Sequence, residues 1–214
     1  MVALALIASP RPDGNTHAAV ADLLAGAADR GAETRSIDVT GRAIEPIGDC
    51  SRCIERGTCP HDGDDFAKVM DAVYAADALV LATPLYWYGP SAQLKTLLDR
   101  WSCLLDREET RFRSRMRGKP TAVVLAQGER GFYEAGPCLQ MLDWTLRYLE
   151  MPLVSRVVVV GHARGDYAAD EHQRERVRRA GHTLPAAGDR DVVPPWFHLS
   201  HTPGGPLGGV FRPS

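Results

Sequence analysis

The sequence is short of several things, and each shortage excludes a class of protein. No stretch approaches the roughly 18 consecutive apolar residues of a membrane-spanning helix, so no membrane partner is expected. Neither sign of charge dominates: 25 Lys and Arg stand against 27 Asp and Glu, a formal net charge of -2. Such a balance offers no whole-molecule field for nucleic acid or anionic lipid. Cysteine is sparse, five in 214 residues, too few for a disulfide framework. No basic residue precedes the apolar start Val2–Ala8, and Ser9-Pro10-Arg11 ends it. It therefore reads as a buried strand and not as a signal peptide. A cytoplasmic location with reduced thiols is the resulting expectation.

What remains is ordinary for one globular domain, with 44% apolar and 24% charged residues. Short apolar runs alternate with longer stretches of helical period. Strands are expected at Val2–Ala8, Glu33–Val39, Ala78–Thr83, Pro120–Ala126 and Leu153–Val160. Helices are expected at Thr16–Arg30, Asp65–Ala76, Ser91–Leu105, Pro137–Leu149 and Ala169–Leu184. Five strand–helix repeats predict an α/β fold, a doubly wound parallel sheet with helices on both faces. The continuous apolar strands agree, because such strands are covered on both sides. Residues 1–184 would form this domain. Residues 185–214 carry six of the Pro and five of the Gly residues but also Trp196, Phe197, Leu199 and Phe211. They read either as an extended C-terminal arm, packed on the body or on a second subunit, or as a frayed terminus.

Ligands of such sheets bind at the carboxyl ends of the strands, so the strand-end loops matter most. The first is Ser9-Pro10-Arg11-Pro12-Asp13-Gly14-Asn15-Thr16. It is neither a Walker loop nor a GxGxxG fingerprint. It still holds the parts of an anion site: side-chain donors on Ser9, Asn15 and Thr16, the charge of Arg11, Gly14 for an unusual turn, and a helix start with free N–H groups. An ordinary turn with Asn15 as N-cap remains the alternative. A receiver domain is excluded, because the first and third strands end in Ala8-Ser9 and Thr83-Pro84 and not in carboxylates. The loop Pro84-Leu85-Tyr86-Trp87-Tyr88-Gly89 carries three consecutive aromatics. They suit stacking against a flat ligand, or a subunit contact.

The motifs Ile7-Ala8-Ser9-Pro10-Arg11-x-x-Gly14-Asn15-Thr16, Ala82-Thr83-Pro84-Leu85-Tyr86-Trp87 and Ser91-Ala92-Gln93-Leu94-Lys95-x-x-x-Asp99-Arg100 occur in order at strand ends. Together they resemble the flavodoxin-like NAD(P)H-dependent FMN reductases, over residues 2 to 160. That superfamily includes quinone reductases and iron-sulfur flavoproteins. The resemblance implies a five-stranded sheet of order 2-1-3-4-5 with FMN at the switch point, and NADPH or NADH as electron donor. It implies that Ser9, Arg11, Asn15 and Thr16 hold the FMN phosphate and that Pro84 to Gly89 line the flavin ring. Gln127, Gly128, Glu129, Gly131 and Phe132 would cover another edge. Tyr86, Trp87 and Tyr88 are candidates for shaping the pocket of a small-molecule acceptor. No side-chain catalytic residue is named, since the flavin carries the chemistry. Lys95, Asp99 and Arg100 read as helix surface or dimer contacts, and a homodimer or homotetramer is expected. The basic strip Arg107–Lys119 reads either as a site for the NADPH 2′-phosphate or as a solvated loop.

Cys50, Cys53 and Cys59, with His61, sit in the loop after the second strand. Iron-sulfur flavoproteins carry four cysteines in this region. Here Arg56 stands where a third would fall, which argues against a four-thiolate cluster. A metal-free remnant is the main reading, a Cys3His zinc set or a disulfide the others. Cys103 and Cys138 read as core thiols. The leading functional expectation is an FMN-dependent NAD(P)H oxidoreductase acting on a quinone or other small aromatic acceptor. A flavodoxin-type electron carrier and a thiol redox sensor are the alternatives.

Overall fold

The computed structural model describes residues 1–49, 59, 61–105, 107, 110–128 and 133–186. Five parallel strands form one sheet: β1 (Val2–Ile7), β2 (Glu33–Asp38), β3 (Ala78–Tyr86), β5 (Thr121–Gln127) and β6 (Leu153–Val160). A two-residue strand, β4 (Gly89–Pro90), pairs antiparallel with the end of β3. The sheet order is β2-β1-β3-β5-β6. Leaving β4 aside, this is the expected 2-1-3-4-5 order. β3 runs three residues further than expected, because Pro84 still pairs with Ala126 of β5 and Leu85 and Tyr86 pair with β4 instead of looping. The C-terminal arm lies outside the described residues from residue 187 onward.

β1 and most of β3 read as continuous apolar runs, but residue size alternates along them. In β1, Leu4 and Leu6 face one side and Ala3, Ala5 and Ile7 the other. In β3, Leu79 and Leu81 alternate with Ala78, Val80 and Ala82. Successive strand side chains point to opposite faces, so the sheet has a large-residue face and a small-residue face. The first packs against α2 (Phe66–Ala75), α3 (Ala92–Leu105) and α5 (Gly136–Tyr148) through Val69, Val73, Leu94, Leu97, Leu142 and Leu146. A short helix, α4 (Phe112–Met116), closes that core with Phe112 and Met116. Phe112 meets the Trp101 ring at 5.8 Å.

The small-residue face takes α1 (Asn15–Ala28) and α7 (Glu171–Gly181). Two short helices flank α7: α6 (Asp166–Ala169) and α8 (Thr183–Ala186). The expected single helix from Ala169 to Leu184 is thus split. Asp170 interrupts it by capping α7 with its carboxylate on the Gln173 N–H. α1 and α7 touch through glycines. A Cβ on Gly26 would stand 2.8 Å from the carbonyl carbon of Arg178, and one on Gly181 would stand 2.9 Å from the Ala27 nitrogen. The Arg178–Asp29 and Arg174–Asp22 pairs flank this crossing.

Candidate active site

The carboxyl ends of β1, β3 and β5 lie side by side, with Ile7 beside Ala82 and Thr83 beside Leu125. Their loops therefore meet at one edge. β1 runs into Ser9, which is buried. Its Oγ accepts from the Arg11 N–H at 3.4 Å. Gly14 precedes α1 and donates to the Arg11 carbonyl, closing a tight turn. A Cβ there would stand 3.0 Å from that carbonyl oxygen and from the Arg11 Cβ, so the turn is tightly packed at Gly14. Thr16 is buried and Arg11 is exposed. The backbone N–H groups of Asn15, Thr16 and His17 have no hydrogen-bond partner among the described residues. They are the unsatisfied first-turn donors of α1, at its positive dipole end.

Asn15 is not an N-cap. Its side-chain amide donates to the Gly161 and Ala163 carbonyls, each at 3.0 Å, and its Oδ1 accepts from the Tyr167 N–H at 3.3 Å. Both amide hydrogens are engaged, so its free donor toward an anion is the backbone N–H. Beside the turn, the end of β2 supplies Asp38. Its Oδ1 accepts from the Thr40 hydroxyl and N–H, and its Oδ2 lies 3.6 Å from His17 Nε2. Partial burial raises the Asp38 carboxyl, but the Thr40 bonds and the His17 side chain outweigh this and hold it below its ordinary value. Its negative charge is thus turned to partners of its own.

The aromatic segment is a hairpin tip. Tyr86 pairs with Gly89, leaving Trp87 and Tyr88 as a two-residue turn with φ of 49° and 63°. Positive φ at both positions is the type I′ pattern, which normally selects Asn and Gly. Two aromatics in that conformation carry backbone strain, a recurrent property of functional segments. Trp87 is 94% exposed, and Tyr86 and Tyr88 are exposed as well. The aromatic faces are thus presented outward beside the phosphate-type turn.

Two residues that the sequence reading did not single out set the base of this hairpin. Thr83 Oγ1 accepts from the Ser91 N–H at 2.8 Å, and the Ser91 hydroxyl donates to the Ala8 carbonyl at 2.7 Å. Both are fully buried. Ser91 Oγ also accepts from the Leu94 N–H, capping α3. A serine one residue before a helical period is the usual N-cap signal, but its cross-strand partner was not readable. From β5, Gln127 is buried and Gly128 faces the His162 ring. Glu129, Gly131 and Phe132 lie outside the described residues.

Three other expectations are corrected. Arg100 is not surface: its side chain is 3% exposed and pairs at 2.5 Å with Asp64, itself 9% exposed. It also donates to the Glu45 carbonyl and lies 4.5 Å over the Phe66 ring. Its place on the buried side of α3, under the β2–α2 connection, explains this. The basic strip does not approach the site. α3 returns from the carboxyl to the amino edge of the sheet, so residues 110–119 lead into the start of β5, roughly 20 Å from its far end. There Arg113 and Arg115 stack on Tyr148 and Tyr74, Arg117 pairs with Glu150, and buried Lys119 donates to the Val73 and Ala76 carbonyls at the end of α2. Cys138 is a core thiol, pushed up to about 12 by burial, whereas Cys103 is only half-buried.

Cys50 and Cys53 lie outside the described residues, and Cys59 is a half-buried free thiol. Among the described residues no three His, Cys, Asp or Glu side chains are placed to hold a metal ion. No helix among them is long and apolar enough to cross a membrane.

This architecture, with its β2-β1-β3-β5-β6 order and a tight strand-to-helix turn after β1, defines a flavodoxin-like fold. The chain belongs to the NADPH-dependent FMN reductase family, whose pattern matches residues 1–174. It is 30% identical over 164 residues to YwqN of Bacillus subtilis, described as an NAD(P)H-dependent FMN-containing oxidoreductase, covering 76% of this chain and 86% of that one. It is 38% identical over 100 residues to an iron-sulfur flavoprotein of Methanocaldococcus jannaschii, covering 47% of this chain but only about half (51%) of the relative. An NAD(P)H:quinone oxidoreductase from Methanothermobacter marburgensis superposes with a TM-score of 0.68 at 23% identity, covering 86% of this chain and 96% of that one. The cofactor of the family is FMN, with NAD(P)H as donor. The chain's own groups fit it: an unpartnered N–H row, a tight turn closed at Gly14, and an adjacent exposed aromatic edge.

Proposed function

We propose that this protein is an FMN-dependent NAD(P)H oxidoreductase that reduces a quinone or another small aromatic acceptor. The observation that carries this reading is one edge of the sheet bearing both a helix start with unpartnered N–H groups and a strained hairpin of exposed aromatics. When bound, FMN supplies hydride acceptance from the nicotinamide and electron delivery to the acceptor. The chain supplies binding and orientation. The N–H groups of Asn15, Thr16 and His17, the Ser9 hydroxyl and the Arg11 charge would take the terminal phosphate. Pro84 to Gly89, with Gln127, Gly128, Glu129, Gly131 and Phe132, would border the flat ring. Tyr86, Trp87 and Tyr88 would shape the acceptor side, where flat faces favour flat acceptors. Thr83 and Ser91 fix the hairpin against β1, so that the two halves of the site hold their spacing.

The same reading has the protein working in the cytoplasm as a homodimer or homotetramer, with the exposed aromatic surface partly covered by another subunit. The test is direct. Purified protein should show flavin absorption bands, release FMN on denaturation, and oxidise NAD(P)H with a quinone and no partner protein. A protein that binds FMN but turns over only with an added protein acceptor would be an electron carrier instead. A colourless protein that cannot be reconstituted would overturn the proposal.

A further inference from the structure

The loop after β6, residues 161–166, is absent from every motif described above, yet it is stitched to the phosphate-type turn. Asn15 donates to the Gly161 and Ala163 carbonyls and accepts from the Tyr167 N–H. Arg164 pairs with Asp13 at 2.9 Å across the same gap. The loop is braced internally, with the Ala163 N–H donating to Asp166 Oδ2 at 2.7 Å. It is also braced against β5, with the Gly161 N–H donating to the Gln127 carbonyl at 2.9 Å. The approach of Asn15 to Gly161 is close: a Cβ on Gly161 would stand 2.9 Å from Asn15 Cγ and closer still to Nδ2.

We propose that Asn15 is a positioning residue of the flavin-phosphate site: its carboxamide holds the 161–166 loop against the start of α1, and the phosphate meets the backbone N–H groups of that turn instead. The inference rests on the functional reading above and refines it. A carboxamide has two N–H donors, and both are engaged by carbonyls. Those carbonyls belong to the loop just after β6, a strand separated from β1 by β3 and β5. The carboxamide therefore couples the first and last strand-end loops and fixes how the unpartnered N–H row faces the anion. Loop 161–166, with Arg164 beside Asp13, becomes a wall of the cofactor site.

The test uses Asn15→Ala, Gly161→Ala and the double variant in the full chain. Gly161→Ala displaces the carboxamide without altering any residue of the turn. FMN and riboflavin affinities are measured by flavin fluorescence, with hydrogen exchange at the Tyr167 amide. Each single variant should weaken FMN about tenfold, the order of one or two lost hydrogen bonds. Riboflavin, which lacks the phosphate, should bind as before. The double variant should be no weaker than the weaker single one, and Tyr167 should exchange faster in all three. Loss of FMN affinity in Asn15→Ala with no change in Gly161→Ala would make Asn15 a direct ligand and overturn the proposal. So would an unmoved FMN-to-riboflavin ratio, which would leave the carboxamide a purely structural tie. Should Gly161→Ala not fold, Asn15→Ala decides: weaker FMN with faster Tyr167 exchange supports the proposal, and weaker FMN with unchanged exchange refutes it. A wild-type chain that takes up no FMN overturns the functional reading itself, and this refinement with it.

Discussion

Replacing Arg100 by Met removes a buried cation from the neck of the β2–α2 connection. The ion pair with Asp64 is shielded on both sides, at 3% and 9% exposure. Breaking such a pair by removing one partner costs roughly 3–5 kcal/mol, because the other charge is stranded. Here Asp64 keeps two donors, the Phe66 N–H at 2.8 Å and the Glu45 N–H at 3.2 Å. That places the expected loss near the lower end, about 3 kcal/mol. Loss of the Glu45 carbonyl bond and of the contact over Phe66 acts in the same direction. For a domain of this size, about 3 kcal/mol corresponds to roughly 6–12 °C in Tm. Thermal and urea unfolding of the wild-type and Arg100→Met proteins measure it. The effect should shrink in acid. Burial raises the Asp64 carboxyl, but its hydrogen bond to Arg100, the two backbone N–H donors and the Arg100 charge together hold it below its ordinary value of 3.8. Its folded value is therefore lower than its unfolded one. The stability it contributes is complete above 3.8 and disappears as pH falls through the folded value. A loss below about 1 kcal/mol at neutral pH, the worth of an exposed pair, would refute the claim that this pair is shielded.

Two further predictions concern the site and the core. Trp87→Asn combined with Tyr88→Gly supplies the residues that a type I′ turn favours, and relief of left-handed strain should raise stability by about 1–2 kcal/mol. The same variant should lower kcat/KM for a quinone. Unchanged quinone kinetics would mean that the aromatics do not meet the acceptor. At the helix crossing, Gly26→Ala places a methyl group against the Arg178 backbone, which cannot withdraw as a side chain tip would. A loss toward the upper end of about 1–3 kcal/mol is expected in urea unfolding, and a neutral result would show that α1 and α7 can move apart freely.

Much of the fold was legible because the strand and helix periods are local. The β6 strand falls at Leu153–Val160 as expected, and the other strands and the longer helices fall within a few residues of theirs, apart from α7. What escaped was non-local. Arg100 looks like any charged helix residue until the fold brings Glu45 and Asp64 against it. Lys119 reads as one more charge in a basic strip, yet it serves the carbonyls that end α2. The sequence leaves open whether the Arg107–Lys119 strip lies by the flavin, because it carries no record of which sheet edge a helix returns to. The hairpin at Trp87 and Tyr88 escaped for the opposite reason: its residues contradict the local preference of the turn they adopt.

By itself, the sequence determined the α/β class, the parallel strand order expected from the motifs, and the family resemblance, because each rests on periodicity or on short ordered patterns. It also placed the tight turn before α1, since a strand, a glycine-bearing loop and a helix start are contiguous. Only the tertiary structure decided what the side chains of that turn do. Asn15, read as an anion donor or a cap, is bound to a loop some 150 residues away, at |i−j| of 146 and 148. A carboxamide bonds whatever the fold brings within about 3 Å, and at this edge of the sheet the fold brings the end of the last strand.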